Sequence, residues 1–223
     1  MSLRPLKRLW HRYRLNDPDY RFLFDPPADE EVVSIDCETT GLDRNKDDII
    51  TIAAVKIRGA RILTSQRFEA VVRPSVKINP DAIKIHKLRE RDVAEGRAMA
   101  DVLPQLLRFI GARPLVGYYL EFDCAMIDRY LRRWLHIELP NERIEVSGMF
   151  YDRKYGDAPP GTHVDLTFQT ILRDLKLPTL AQHDAYADAL MTAMIYVALR
   201  DYEARKVKIP RSTFADATPF AGG

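Results

Sequence analysis

Three short stretches of this 223-residue sequence hold side chains suited to acid–base or metal chemistry. They are Asp36 and Glu38 in VVSIDCETTGLD, Asp123 in LVGYYLEFDCAMIDRY, and His183 with Asp188 in LAQHDAYADALMTA. Asp36 and Glu38 leave the end of a β-branched run one residue apart. Side chains alternate across a strand, so both point to one face, with Cα atoms about 7 Å apart. Two carboxylates at that spacing can converge on one divalent cation, and ionised carboxylates are costly to bury unless paired or metal-bound. The plain alternative is two solvated acids at a strand end. Gly41, just beyond, lets the backbone turn sharply or approach a ligand closely. Asp123 stands where an apolar strand gives way to a helix, a common place for a cap or a dipole partner. His183 and Asp188 are five residues apart, about 500° around a helix. They share a site only if His183 precedes the helix and Asp188 lies in its second turn, with Asp184 as the natural cap. The alternative is an exposed i, i+4 acid pair, Asp184 and Asp188.

The elements that must carry these residues follow from periodicity. Val32–Cys37 reads as a strand. Ile49–Arg58 and Arg61–Val72 read as two more, joined as an antiparallel hairpin through Gly59-Ala60. A loop spanning 74–96 leads to a helix near Ala100–Ile110. RPLVGYY reads as a fourth strand. FDCAMIDRYLRRWL is a helix, with Cys124, Ile127, Leu131 and Trp134 on one face. RIEVSGMFYD reads as a short strand or an irregular link. VDLTFQTILRDLKL is a helix stopped before Pro178, and DAYADALMTAMIYVALRDYEAR is a long final helix. This order of strands and helices predicts an α/β fold around a mixed sheet.

Composition bounds the class. With 46% hydrophobic and 30% charged residues, the chain can bury one large core, with or without an extension. A net charge of +2 points neither toward nor away from nucleic acid, so any basic surface must come from local clustering. No apolar run approaches membrane-spanning length, and MSLRPLKRLWHRYRL lacks the apolar stretch of a secretory signal. Cys37 and Cys124 have no metal-ligand spacing, which fits reduced packing residues in a cytoplasmic protein. Residues 1–30 stand apart as an extension. Its first half, with Arg4, Lys7, Arg8, Arg12 and Arg14, reads as a short basic amphipathic helix that contacts phosphate or a protein partner, or as an arm packed by Trp10 and Phe22. The body is expected over 31–205, and a loose tail over 206–223.

Taken together, the three stretches resemble the DnaQ-like, or DEDD, 3′–5′ exonuclease family, in its His-containing branch and of the DNA polymerase III ε-subunit type. The first motif, D-x-E-T, matches Asp36, Glu38 and Thr39. The second ends in Phe-Asp, matched by Phe122-Asp123. The third, H-x4-D, matches His183 and Asp188. The likeness runs from about Glu31 to Arg200. It implies a ribonuclease H-like fold, a mixed central β-sheet flanked by α-helices. It implies two Mg²⁺ or Mn²⁺ ions held by Asp36, Glu38, Asp123 and Asp188, with Asp36 shared between them, clamping an in-line phosphoryl displacement. His183 is then the general base, a role suited to a side chain that titrates near neutral pH. The implied reaction releases nucleoside 5′-monophosphates from a free 3′ end.

Substrate contacts implied by the same likeness are the Thr39-Thr40-Gly41-Leu42 turn, Phe122, and His86, for which a solvent-facing loop position is the plain alternative. Two departures stand out. Tyr118-Tyr119 occupies the place of a usual His-Asn pair, where rings offer base stacking or simple packing. Thr51 stands where many relatives have a Glu contacting the terminal sugar. The TTGLD turn and the Ile85-His86 pair resemble the polymerase III ε-subunit type, which implies DNA, expected as single strands, for the partner. Two alternatives are an RNA-directed exoribonuclease of the same family, distinguished by 2′-OH contacts, and a non-catalytic binding module on this fold. The short tail leaves no sizeable C-terminal segment for binding a polymerase, so a protein partner is expected at residues 1–30.

Overall fold

The computed structural model describes residues 4–27, 29–181 and 183–211. Among them a five-stranded sheet forms from β1 (Glu31–Thr39), β2 (Ile49–Arg58), β3 (Arg61–Val71), β4 (Leu115–Gly117) and β5 (Arg143–Glu145), in the order β3-β2-β1-β4-β5. β1 pairs antiparallel with β2 and parallel with β4; β2 pairs antiparallel with β3, and β4 parallel with β5. The expected mixed sheet is present, and the β2–β3 hairpin turns at Gly59, whose φ of 58° suits a residue without a side chain. The helices are α1 (Arg4–Arg14), α2 (Pro80–His86), α3 (Glu90–Val93), α4 (Met99–Ile110), α5 (Leu120–Trp134), α6 (Val146–Lys154), α7 (Phe168–Asp174) and α8 (Ala185–Ala204).

β1 is the central strand and is covered on both faces. Val33, Ile35 and Cys37 pack against α4 and α5, with Leu103, Leu107, Cys124, Met126 and Ile127 in the same cluster. On the other face Ser34 Oγ donates to the Ala189 carbonyl at 2.7 Å, drawing α8 onto the strand. Ala189 and Ala193 of α8 are fully buried. Their small side chains allow that close approach, and it decides how near the first turn of α8 comes to the acids of β1.

Several elements differ from the sequence reading. β4 stops at Gly117, and α5 starts at Leu120, so Tyr118-Tyr119 form the turn between them. The stretch 143–154 is a three-residue strand followed by α6, begun by Glu145, whose carboxylate accepts the Ser147 N–H at 3.2 Å. The helix expected over 164–177 is confined to α7. Asp165 holds the segment before it in a turn, accepting from Thr167 N–H at 2.9 Å and Thr170 Oγ1 at 2.7 Å. The loop over 74–96 contains α2 and α3. Residues 18–24 form a 3-10 turn that buries Tyr20, Leu23 and Phe24 in the same cluster as β1, while Trp10 stays 51% exposed. The arm is thus anchored by Tyr20, Leu23 and Phe24, with Phe22 only partly buried. Beyond α8, Ile209 is buried and its N–H donates to the Arg153 carbonyl at 3.2 Å. The rest of the expected tail, 212–223, lies outside the described residues. Both cysteines are free and buried, and burial pushes both thiols up, as suits packing residues.

Candidate active site

A cleft of about 680 Å³ opens at the end of β1 that carries the acids. It is lined by Asp36, Glu38, Thr39, Leu42, Tyr118, Tyr119, Phe122, Asp123, His183 and Asp188, so three segments distant in sequence meet there. Asp36 and Glu38 lie on the α8 face of β1, and the pairing register with β2 slips between Glu38 and Thr39, where the strand ends. Asp123 sits in the first turn of α5, and its Oδ1 accepts the Cys37 N–H at 3.1 Å, tying α5 to β1 between the two acids. Asp184 caps α8, accepting the Ala187 N–H at 2.9 Å. Asp188 falls in the first turn of α8 rather than the second. His183 precedes the helix at φ 60°, and its N–H donates to Asp188 Oδ2 at 3.0 Å. Ligand atoms of Glu38, His183 and Asp188 all lie within 4.8 Å of one another.

The electrostatics of this cluster are unbalanced. Burial, then repulsion from Asp123, Glu38 and Asp188, pushes Asp36 well above the usual carboxylate range. Burial and the charges of Asp188 and Asp184 push Glu38 up to about 7. Asp123 rises to about 8, mainly through burial, against the pull of its Cys37 hydrogen bond. Asp188 is also raised by burial. The described lining carries six carboxylates against one arginine, Arg44, and one histidine, with no lysine. Arg44 stands over the Phe122 ring, 5.9 Å from its centroid. Crowded carboxylates with a single arginine on the lining form a hard-oxygen donor set that fits divalent cations, and the Cys37 thiol beside Asp123 is pushed up by burial and stays protonated.

The turn after β1 is held from beneath. Thr39 Oγ1 donates to the Gly41 carbonyl at 2.6 Å, and Thr40 Oγ1 donates to Asp47 Oδ1 at 2.9 Å. Asp47 Oδ2 accepts the Asp43 N–H at 2.8 Å. A Cβ at Gly41 would lie 2.5 Å from that same carboxylate, so a larger residue there would displace Asp47 from its bonds to Thr40 and Asp43. Asp48, next along, accepts from Ser75 Oγ, Arg129 and Tyr130 while its main chain pairs with Thr40. Thr40 is fully buried, so its side chain supports the turn, whereas Leu42 is 81% exposed on the cleft rim.

His86 ends α2 and is buried rather than solvent-facing. Its Nδ1 accepts the Leu88 N–H at 3.0 Å, and Nε2 makes no hydrogen bond of normal geometry, although the Thr39 carbonyl is near enough to favour the charged ring. Burial outweighs that influence and holds the ring's pKa below its ordinary value, with His183 acting in the same direction. Thr40, Gly41 and His86 do not line the cleft. Phe168, Glu145, Ser147, Thr192, Glu121 and Arg44 do, and the sequence reading missed them. Phe168 packs on Tyr118 with ring centroids 4.9 Å apart, and Tyr118 packs on Tyr119 at 4.6 Å. Tyr118 OH donates to the Leu166 carbonyl at 3.0 Å. Glu145 accepts the Leu120 N–H at 3.0 Å, supplying the cap that Tyr119 does not. No periodic pattern marks either role, because Glu145 depends on β5 lying beside β4 and Phe168 on the turn that Asp165 holds.

The exonuclease family model typified by RNase T matches residues 33–196, which include every acid of the cluster and His183. The chain belongs to this exonuclease family. Among relatives of this exonuclease domain, the protein named DNA polymerase III PolC-type from Thermotoga maritima is 29% identical over 175 residues, covering 76% of this chain and 12% of that one. The chain thus spans a small part of the PolC-type relatives it matches. The DNA polymerase III subunit epsilon of Aquifex aeolicus is 27% identical over 171 residues, covering 77% of this chain and 81% of the subunit. A solved structure of Exonuclease X in complex with 5′ overhanging duplex DNA superposes with a TM-score of 0.59 at 27% identity, covering 78% of this chain and 93% of that one. Exonuclease I superposes at 0.66 with 17% identity, covering 79% and 42%, a likeness of fold. The exonuclease fold here is therefore the ribonuclease H-like one, and the family's dependence on divalent metal matches the donor set just described.

Proposed function

We propose that this chain is a metal-dependent 3′–5′ exonuclease that releases nucleoside 5′-monophosphates from DNA ends. The observation that supports it best is the convergence of Asp36, Glu38, Asp123, His183 and Asp188, from three separate segments, on one open cleft. The four acids would hold two Mg²⁺ or Mn²⁺ ions, which supply, when bound, a more acidic water and neutralisation of charge at the leaving 3′ oxygen. His183 takes the proton of the attacking water and, being exposed, passes it to solvent. Its position is set by the N–H bond to Asp188. Leu42, Tyr119 and Phe122 contact the terminal nucleotides from the cleft walls through apolar and stacking surfaces, which tolerate any base. DNA is the favoured polymer because relatives include a polymerase III subunit and a nuclease solved with duplex DNA. A cytoplasmic setting belongs to the same proposal.

The test is digestion of single-stranded DNA and RNA of one sequence, labelled at either end, with Mg²⁺, Mn²⁺ or chelator. Metal-dependent shortening from the 3′ end is expected, with His183→Ala slower by at least roughly a hundredfold. Faster digestion of RNA would replace the DNA reading with the exoribonuclease one. No cleavage of either polymer with either metal would leave the binding-module reading.

A further inference from the structure

α1 is docked the wrong way round for a surface helix. Leu6, Leu9, Trp10 and Tyr13 follow the i, i+3, i+4, i+7 spacing, so they share one arc of about 100°. They are 67, 63, 51 and 90% exposed. The opposite side faces the protein. His11 is buried there, and Arg8 Nη1 donates to the Pro140 carbonyl at 2.8 Å. Lys7 pairs with Glu138 at 2.6 Å. An amphipathic helix ordinarily buries its apolar stripe, so this one holds the stripe ready for something else.

We propose that α1 is a docking face for an anionic lipid surface. Its exposed apolar stripe is edged by cations, Arg12 on one side and Lys7 and Arg14 on the other, and residues 4–14 contain no acid. The Arg14 guanidinium lies 4.4 Å from the Trp10 ring centroid, which keeps that cation at the edge of the stripe. Leucines with Trp and Tyr on one face and cations along both edges are the make-up of a helix that lies in the headgroup layer. A second copy is a poor occupant, because symmetric pairing sets Arg12 and Arg14 against cations of the same helix with no acid to answer them. A binding groove in another protein must reach around a helix, and half of this one is already occupied by Arg8 and His11. Nucleic acid accounts for the cations and rings but not for Leu6 and Leu9. A flat anionic bilayer needs only the half that is free. Asn16, just after α1, donates to the carbonyl of Trp134, about 17 Å along α5 from Asp123, so α1 ends near the end of α5 remote from the cleft. Docking leaves the cleft open to solution.

The experiment is flotation of the full chain with vesicles of phosphatidylcholine alone, or with about one-third phosphatidylglycerol. Binding at least roughly tenfold stronger to the anionic vesicles is expected, falling with added salt. Leu9→Glu and Arg12→Glu, both at exposed positions, are each expected to lower that binding by roughly tenfold. Neither change should alter the rate on a short oligonucleotide without vesicles, so a nuclease failure and a docking failure are read separately. Absence of flotation with anionic vesicles overturns the proposal. So does equal flotation of wild type and Leu9→Glu, or α1-dependent binding to duplex DNA without any to vesicles.

Discussion

Tyr119 carries a cost. At φ 55° and ψ 32° it lies in the left-handed region, which an ordinary L side chain enters at about 1–2 kcal/mol. Asparagine enters that region readily because its short amide bonds locally. The resemblance read from the sequence implies Asn at this position, and on that reading tyrosine stands in its place on a turn that suits Asn. The exchange adds a ring, 68% exposed, at the open end of a row formed by Tyr119, Tyr118 and Phe168. Strain at a cleft residue points to a use for the side chain. Tyr119→Asn and Tyr119→Ala both remove the ring, but only Asn suits the turn. Denaturant melts should find the Asn variant more stable than the Ala variant by about 1 kcal/mol. Both should raise KM for single-stranded substrate more than they lower kcat, and a change confined to kcat would count against stacking.

At the scale of elements, the site depends on how closely α8 approaches β1. Ser34 and Ala189 form the contact, and Asp184 with His183 shape the start of the helix just beyond it. Ala189→Leu inserts three carbons where the structure has no space. It should cost about 2–3 kcal/mol in thermal or denaturant melts. It should also slow cleavage by at least roughly tenfold, since Asp188 moves with the helix while every cleft side chain is kept. Wild-type stability in that variant would mean that α8 is held elsewhere. The sheet, the hairpin and α8 are legible in sequence because β-branched runs, Gly59 and the Asp184 cap are local signals. α6 and α7 are less so. Their limits follow from the Glu145 and Asp165 side chains, which reorganise segments whose periodicity reads otherwise.

For the molecule as a whole, the acid cluster makes stability depend on pH and metal. Folding raises the pKa of Glu38 to about 7 and of Asp123 to about 8, with Asp36 and Asp188 shifted the same way. Between the ordinary carboxylate range and about pH 8 the folded chain therefore holds more protons than the unfolded one. Its stability must fall as pH rises through that window. Metal-free protein should lose thermal stability from pH 5 to pH 8, and added Mg²⁺ or Mn²⁺ should restore more at pH 8 than at pH 5. Calorimetry in chelator and in metal reads both effects. A metal-free Tm that rises over this interval would show that the carboxylates are already neutralised within the protein.

The spacing of Asp36 with Glu38, of Phe122 with Asp123, and of His183 with Asp188 was enough to indicate the family and the chemistry, because each motif is short and local. The alternation of β1 placed its two acids on one face, and the five-residue gap required His183 to stand outside the helix. Tertiary structure decided the rest. Only the pairing of β5 with β4 brings Glu145 beneath the start of α5, and only the turn set by Asp165 brings Phe168 to the cleft. The burial of His86, the structural use of Thr40 and the outward stripe of α1 depend on contacts between residues far apart in the chain. Periodicity reports that a helix has an apolar face; which way that face points is settled by what packs against the other side.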